Sequence, residues 1–284
     1  MTPTEYFLTG DGCRIAYRLD GAADLPVLVL SNSIATTHRM WDDQVPTLSQ
    51  TFRVLRYDTR GHGGSDAPVG PYSLDRLGRD VVELLDGLGI ERAHFCGLSL
   101  GGFVGQWLGV REPQRLDKLV LSNTSPYLDP PARWDGLICA LLDKRDMSAM
   151  ADMFMQGWFP KSMLEHQPNV IERFRSMVMA TSPDGLAGCF AVVRDADLRR
   201  TNTLIDVPTL VIGGEDDTVT LVSHSEQIAQ AISGAQLAIL PGVHMLNVQV
   251  PEEFMETLRA FLGGERVNPL NCRSVPLACG RSSV

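Results

Sequence analysis

The sequence predicts an α/β protein with a doubly wound, mostly parallel sheet and an all-helical cap insertion. Three observations lead to this expectation. Short apolar runs without polar alternation recur along the chain, and such runs are typical of parallel strands covered on both faces. Amphipathic helical segments separate them, which is the order of a doubly wound sheet. The alternation stops between about residues 129 and 202, where helix formers dominate.

The individual elements follow from these runs. Strands are predicted over 26–31, 52–58, 93–98, 118–122, 209–212 and 236–240. Helices are predicted over 73–88, 103–111, 223–232 and 251–262. The first helix is the best defined, because its apolar residues keep helical spacing, Ser73 can cap its start and Gly89 can end it.

This pattern also predicts how the chain is divided. We expect residues 1–128 and 203–263 to form the core, and residues 129–202 to form a cap of about five helices over the site. Residues 264–284 show no helical or strand period, so we predict a poorly ordered C-terminal extension there.

Composition excludes several function classes. The net charge is -9, from 34 acidic and 25 basic residues, which disfavours binding to a phosphate backbone. We therefore expect no nucleic-acid partner. Neither a signal peptide nor an apolar run of membrane-spanning length is evident, and the six cysteines form no C-x-x-C pair. These features predict a cytoplasmic protein without a membrane partner; they leave its oligomeric state open.

The strongest chemical signal lies at residues 97–102, which read Gly-Leu-Ser-Leu-Gly-Gly. This G-x-S-x-G pattern follows a predicted strand and precedes a predicted helix, as a nucleophile elbow requires. Glycines are needed there because the turn is too tight for side chains on either flank. The sequence therefore predicts Ser99 as a nucleophile exposed at the carboxyl end of the sheet.

A serine hydroxyl needs a general base, and in this arrangement the base comes last in the chain, after the acid. Four histidines precede Ser99 or lie in the expected cap: His38, His62, His94 and His166. Of the two that remain, His224 lies near the start of a predicted helix. His244 follows the last predicted strand in a turn that can return over Ser99, so we predict His244 as the base.

The acid and the oxyanion donors are less sharply defined. Glu215, Asp216 and Asp217 all follow a predicted strand, and spacing alone does not choose among them. One oxyanion donor is expected to be the backbone N–H of Leu100, the residue after the nucleophile.

The second oxyanion donor is expected from the loop after the first predicted strand. The N–H of Ile34 is our first choice and that of Ser33 the second. Asn32 in the same loop has two interpretations, as a contributor to the site or as a structural turn residue.

A family resemblance adds to these predictions. Residues 58–65 read Asp-Thr-Arg-Gly-His-Gly-Gly-Ser, a D-x-R-G-x-G-x-S pattern that resembles the α/β-hydrolases. More specifically, the chain resembles the 3-oxoadipate enol-lactonases over roughly residues 5–263. The resembling stretches are Leu-Ser-Asn-Ser at 30–33 with Met40 and Trp41, and residues 52–63, 70–74, 93–99, 121–124, 158–159 and 195–199.

The resemblance also selects site residues. The family's G-x-x-D pattern falls on residues 214–217, which implies Asp217 as the acid, and its histidine falls on His244. It implies hydrolysis of 3-oxoadipate enol-lactone to 3-oxoadipate in the β-ketoadipate pathway of aromatic catabolism. A Ser-His-Asp triad would act through an acyl-enzyme, without a metal or an organic cofactor.

The implied substrate is a small lactone that carries a carboxylate, which needs a cation or a polar donor. The candidates are Arg133, Trp134 and Arg194 in the expected cap, and His38 or Arg39 near the first loop. Two alternatives stay open at this point. One is another carboxylesterase, lactonase or carbon–carbon bond hydrolase of the same fold, and the other is a non-catalytic ligand sensor.

Overall fold

An eight-stranded sheet forms the centre of the computed structural model, which describes residues 3–267. Its spatial order is β1-β2-β4-β3-β5-β6-β7-β8. β1 and β2 pair antiparallel, as do β2 and β4, and every other neighbouring pair is parallel. The predicted α/β fold with a mostly parallel sheet is therefore confirmed. The strands are β1 Glu5–Leu8, β2 Arg14–Asp20, β3 Val27–Ser31, β4 Arg53–Tyr57, β5 Ala93–Leu98, β6 Leu116–Ser122, β7 Thr209–Gly214 and β8 Gln236–Leu240.

The first two strands have no counterpart in the sequence prediction. A search for continuous apolar runs finds buried parallel strands, whereas β1 is an antiparallel edge strand whose residues are mostly exposed. β2 is mostly buried, but its apolar residues are interrupted by Arg18 and it ends at Asp20. Antiparallel strands of this kind carry a weaker signal than the strands at the centre of the sheet.

Within residues 3–267, eleven helices and three short 3-10 helices accompany the sheet. Those of the core are α1 Val45–Leu48, α2 Leu74–Gly87, α3 Leu100–Arg111, α9 Val222–Ala231, α10 Leu246–Gln249 and α11 Pro251–Gly263. The 3-10 helices are His38–Trp41, Pro113–Arg115 and Thr201–Leu204. α3 begins three residues before the predicted start, at Leu100, because the chain passes from β5 into this helix through Ser99 alone.

Five helices lie between β6 and β7, in the interval for which a cap is expected. The last of them, Pro183–Asp195, buries residues 185–193, whereas the first, Pro131–Lys144, buries Leu141 alone. The predicted C-terminal extension comprises residues 264–284, and residues 268–284 of it lie outside the described part of the chain. The five helices are α4 Pro131–Lys144, α5 Met147–Trp158, α6 Lys161–His166, α7 Pro168–Ala180 and α8 Pro183–Asp195.

α8 joins these helices to the core through a close backbone contact. A Cβ placed on Gly185 would overlap the carbonyl oxygen of Gly61, so only glycine fits this contact. Three residues further on, the N–H of Tyr72 donates to Gly188 O at 3.2 Å. α4 in turn is tied to α8 by two ion pairs, Arg194–Asp135 at 2.9 Å and Arg145–Asp184 at 2.8 Å.

No single helix among residues 3–267 has the length and hydropathy to cross a bilayer. α7 and α8 reach that length and hydropathy only as a pair, and they are bent by 95° relative to each other.

The glycine contact between α8 and the core gives a stability prediction. Gly185→Ala forces a methyl group into the backbone at Gly61, so we expect a loss of about 1–3 kcal/mol, typical of an overpacked site. Thermal and urea unfolding would measure it.

Gly136→Ala in α4 is the matched control, because nothing lies within 4 Å of its added Cβ. Replacing this helical glycine is expected to stabilise the protein by about 0.5–1 kcal/mol. Equal unfolding transitions for the two variants would show that the Gly61–Gly185 contact does not restrict the backbone.

Candidate active site

Ser99 lies at the turn between β5 and α3 in a strained conformation. Its φ and ψ are 57° and -113°, outside the regions that side-chain-bearing residues favour. Its flanks are closely packed, because a Cβ on Gly97 would overlap the carbonyl of Gly101, and a Cβ on Gly101 would overlap the carbonyl of Ser31. The sequence thus folds into a sharp bend that presents the Ser99 side chain at the carboxyl edge of the sheet.

Asp217 and His244 form a buried pair at the same edge. Asp217 follows β7, His244 follows β8, and His244 Nδ1 lies 2.8 Å from Asp217 Oδ2. Both side chains are fully buried. Glu215 and Asp216, the other acids left open by spacing, are exposed to solvent. His224, the other histidine considered, lies within α9.

Four further hydrogen bonds hold the Asp217 carboxylate. Oδ1 accepts the N–H groups of Val219 at 2.8 Å and Thr220 at 3.0 Å. Oδ2 accepts Thr220 Oγ1–H at 2.8 Å and Asn123 Nδ2–H at 2.9 Å. Burial by itself would raise the pKa of Asp217, but the facing His244 and these hydrogen bonds outweigh it and hold the pKa well below its usual value. The carboxylate is therefore ionised and can orient the imidazole.

His244 Nε2 is the atom placed to act as a base. It is buried and has no hydrogen-bond partner among residues 3–267. Because Nδ1 faces the Asp217 carboxylate, Nδ1 carries a proton in the neutral ring and Nε2 has a free lone pair. His244 and Ser99 line the same cavity, so the arrangement suits removal of the Ser99 proton during attack on a carbonyl.

Two backbone N–H groups beside Ser99 are available to an oxyanion. Leu100 supplies the first N–H of α3, which has no partner within its helix. In the facing loop, the N–H of Ser33 donates to Met40 Sδ at 3.3 Å and the N–H of Ala35 donates to His62 Nε2 at 2.8 Å. The N–H of Ile34 has no such partner within the described chain, and Ile34 lines the cavity.

The same contacts separate the two predicted loop donors. Ser33, the second choice, has its N–H engaged by a sulfur atom, which leaves Ile34. Asn32 serves the turn itself, because its Nδ2–H donates to Tyr57 O at 2.7 Å and its Oδ1 accepts Trp41 Nε1–H at 3.1 Å. Of the two interpretations of Asn32, the structure favours the structural one.

A cavity of about 200 Å³ lies over Ser99 and His244. Its walls are mainly apolar and come from the core and from the cap helices, and within the described chain Asp129 and Arg133 are its two acidic or basic wall residues apart from the imidazole of His244. Trp134, a predicted substrate contact, also lines it. The aromatic wall residues are Phe103, Trp134, Phe154, Trp158 and Phe190.

Two of the predicted substrate contacts do not reach this cavity. Arg194 is on the outer side of α8, where it pairs with Asp135 at 2.9 Å and Asp195 at 2.7 Å. His38 is buried beneath the loops, and its Nδ1 lies 2.9 Å from Asp58 Oδ1. Both polar groups are satisfied by carboxylates of the protein, and neither residue lines the cavity over Ser99.

Sequence reasoning missed Asn123 and Thr220, which hold Asp217. Asn123 has a φ of 43° and directly follows β6, so a polar residue at the carboxyl end of a central strand was the available signal. For Thr220, the only signal in the sequence was its position three residues after Asp217. Within residues 3–267, no group of three or more His, Cys, Asp and Glu side chains is arranged to hold a metal ion.

Comparison with known proteins identifies the family to which this chain is similar. The family model of the alpha/beta hydrolase fold matches residues 26–250. The 3-oxoadipate enol-lactonase 2 of Acinetobacter baylyi is 34% identical over 255 residues, which cover 90% of this chain and 95% of that protein. A provisionally named carbamate hydrolase of a Caulobacter species is 30% identical over 253 residues, covering 86% of this chain and 93% of its own.

Two solved structures of hydrolases have the same fold as this chain. A hydrolase from Pseudomonas aeruginosa superposes with a TM-score of 0.90 at 56% identity, covering 92% of this chain and 98% of that chain. The enol-lactonase from Burkholderia xenovorans superposes with a TM-score of 0.88 at 38% identity, covering 91% and 100%. The resemblance to 3-oxoadipate enol-lactonases expected from the sequence is confirmed.

The carboxylate at position 217 gives a kinetic prediction. Asp217→Asn removes the charge that fixes the His244 tautomer, and the comparable change in serine proteases lowers kcat by about 10⁴-fold. Hydrolysis of a chromogenic ester by the purified variant would measure the loss, and circular dichroism would verify its fold.

Asp216→Asn is the matched control, since this neighbouring acid is exposed and outside the cavity. We expect it to keep the activity of the unaltered protein. Full activity in Asp217→Asn, or an equal loss in both variants, would exclude Asp217 as the acid.

Proposed function

Because this chain belongs to the α/β-hydrolase family, we propose that it is an ester or lactone hydrolase that opens 3-oxoadipate enol-lactone and releases 3-oxoadipate. The enol-lactonase of Acinetobacter baylyi, which shares 34% identity with it, supports this substrate. The same resemblance suggests a role in aromatic catabolism, and we place the enzyme in the cytoplasm.

One observation above all supports a serine hydrolase mechanism. His244 Nδ1 is fixed by Asp217 at 2.8 Å, while its Nε2 has no partner among the described residues and the ring lines a cavity shared with Ser99. Because one ring nitrogen is held by the carboxylate and the other is unengaged, the imidazole is able to take a proton from Ser99 and later return it.

In the first half of the proposed reaction, Ser99 Oγ attacks the lactone carbonyl carbon and His244 Nε2 takes its proton. The oxyanion receives the N–H groups of Leu100 and Ile34. Collapse of this intermediate breaks the ring C–O bond and expels an enolate, which is a better leaving group than an alkoxide. The enolate oxygen takes up the proton from His244, and the resulting enol stays attached to the acyl group because the broken C–O bond was part of a ring.

In the second half, His244 removes a proton from water as the water attacks the acyl carbon. The intermediate collapses, Ser99 regains its proton, and the ketone tautomer of the product leaves as 3-oxoadipate. The transfers from Ser99, to the enolate, from water and back to Ser99 all pass through His244 Nε2, and the enol becomes the ketone by exchanging its O–H proton for a C–H proton with water.

Arg133 is the residue we propose for the carboxylate of the substrate. It lies on α4 and lines the cavity, and its Cζ atom lies over the Trp134 ring, 5.6 Å from the ring centroid. Among residues 3–267, no carboxylate lies within ion-pair distance of it. Arginine suits this task because its planar fork matches a carboxylate.

The substrate proposal predicts a product. Purified protein should convert 3-oxoadipate enol-lactone to 3-oxoadipate, identified by mass spectrometry, and Ser99→Ala should lower kcat by about 10⁴-fold or more. A small carbamate and a simple ester, assayed in parallel, separate the related activities. Negligible lactone turnover beside Ser99-dependent cleavage of the ester or the carbamate would contradict the assigned substrate.

The assignment of Arg133 predicts a selective loss of affinity. Arg133→Met removes a charged hydrogen-bond donor worth about 1.5–3 kcal/mol, so KM for the enol-lactone should rise by about 10- to 150-fold. KM for an uncharged ester of similar size should change little. Steady-state kinetics on both substrates would measure the difference.

Arg194→Met is the matched control, because Arg194 lies outside the cavity and pairs with acids of the protein. Its KM for the lactone should stay near that of the unaltered enzyme. An equal rise in KM for charged and uncharged substrates in Arg133→Met would rule out carboxylate recognition.

A further inference from the structure

A second loop supports the loop that carries Ile34. Residues 58–65, which hold the D-x-R-G-x-G-x-S pattern, supply two acceptors for backbone N–H groups of residues 32–38. His62 Nε2 accepts the N–H of Ala35 at 2.8 Å, and Asp58 Oδ1 accepts the N–H of His38 at 2.6 Å. The reaction proposed above leaves His62 without a task.

The hydrogen bonds of His62 define its tautomer. Its Nδ1 lies 3.2 Å from Arg60 O, and a carbonyl oxygen only accepts, so Nδ1 carries the hydrogen. Nε2 is then the unprotonated acceptor that the Ala35 N–H requires. Burial lowers the pKa of His62, which favours the neutral ring, and the side chain is buried within the protein.

The peptide planes on both sides of Ile34 are held by hydrogen bonds, one of which is the bond from the Ala35 N–H to His62. Ala35 has a φ of 56°, a left-handed conformation that costs a residue with a side chain about 1–2 kcal/mol. His62 holds the peptide plane that follows Ile34 through its N–H group. Thr36 Oγ1 holds the plane that precedes it, since this hydroxyl donates to Ser33 O at 2.7 Å.

We propose that His62 is a positioning residue of the reaction: as a neutral acceptor for the Ala35 N–H, it keeps the Ile34 N–H directed at the oxyanion. It touches no reacting atom. The inference rests on the proposed function only in taking Ser99 as the nucleophile, and it holds for any ester or lactone that Ser99 attacks.

The expected kinetic signature is a loss in kcat without a comparable rise in KM. An oxyanion exists in the transition state and not in the bound substrate, so weakening its donor lowers kcat selectively. His62→Leu removes the acceptor and is expected to lower kcat by about 10²-fold, the lower range for loss of one oxyanion donor. His62→Gln restores an acceptor near the position of Nε2 and should recover most of that loss.

The inhibition constant of a boronic acid distinguishes a weakened oxyanion donor from a general structural defect. Butylboronic acid would add to Ser99 Oγ, with the proton passing to His244, and form a tetrahedral anion that occupies the oxyanion site. Its inhibition constant should rise by about 10²-fold in His62→Leu. The dissociation constant of 3-oxoadipate, which has no oxyanion there, should stay unchanged in the same variant.

His94→Leu is the matched control. His94 is a half-buried histidine near the start of β5, at the opposite end of the strand from Ser99, and its ring packs edge-on against Phe52. We expect its boronate affinity to equal that of the unaltered enzyme. Unchanged boronate affinity in His62→Leu, or a parallel loss in His94→Leu, would overturn the role of His62.

Nuclear magnetic resonance tests the same bond without any activity. In ¹⁵N-labelled protein, His62 should show a protonated Nδ1 and an unprotonated Nε2, with a coupling from Nε2 to the Ala35 amide across the hydrogen bond. A protonated Nε2 would overturn the proposal. An enzyme that turns over neither lactone nor ester would instead contradict the proposed function and leave this spectroscopic result standing.

Discussion

Ser99 lies in a strained backbone conformation, and hydrogen bonds to carbonyl groups of β6 and of the loop after β3 hold it there. Its N–H donates to Ser122 O at 3.0 Å, and the N–H of Gly101 donates to Asn32 O at 2.9 Å. Strain of this kind persists only where the surrounding structure over-determines it. Because the same bend places the Leu100 N–H beside the hydroxyl, one piece of backbone sets both the proposed nucleophile and the proposed oxyanion donor.

The buried charge of Asp217 is the second requirement, and three separate segments meet it. Asn123 after β6, Thr220 after β7 and His244 after β8 all hydrogen-bond to this carboxylate. A buried charge is costly unless its hydrogen bonds are satisfied, so a fully satisfied Asp217 also fixes how the three strand ends lie relative to one another. The imidazole is then held in one tautomer with a free Nε2.

The central strands, the bend at Ser99 and the histidine after the last strand could be predicted because each has a local signal. Apolar runs mark buried parallel strands, and a G-x-S-x-G turn between strand and helix is specific in its setting. The antiparallel strands β1 and β2 lack that signal. The choice among three adjacent acids depends on which side chain turns inward, a property of the folded loop. Arg194 and His38 could not be excluded from sequence, since their acidic partners Asp135 and Asp58 become neighbours only on folding.

The hydrogen bond between Asn123 and Asp217 joins two residues that flank the five helices between β6 and β7. The chain therefore leaves the sheet beside Asp217 and returns to the same place, and this hydrogen bond closes the segment of helices at its base. The entropic cost of closing such a loop changes only slightly with the length of the loop. These helices line the cavity over Ser99, so we expect that enlarging, shortening or replacing them would change the shape of the cavity and leave Ser99, Asp217 and His244 in place.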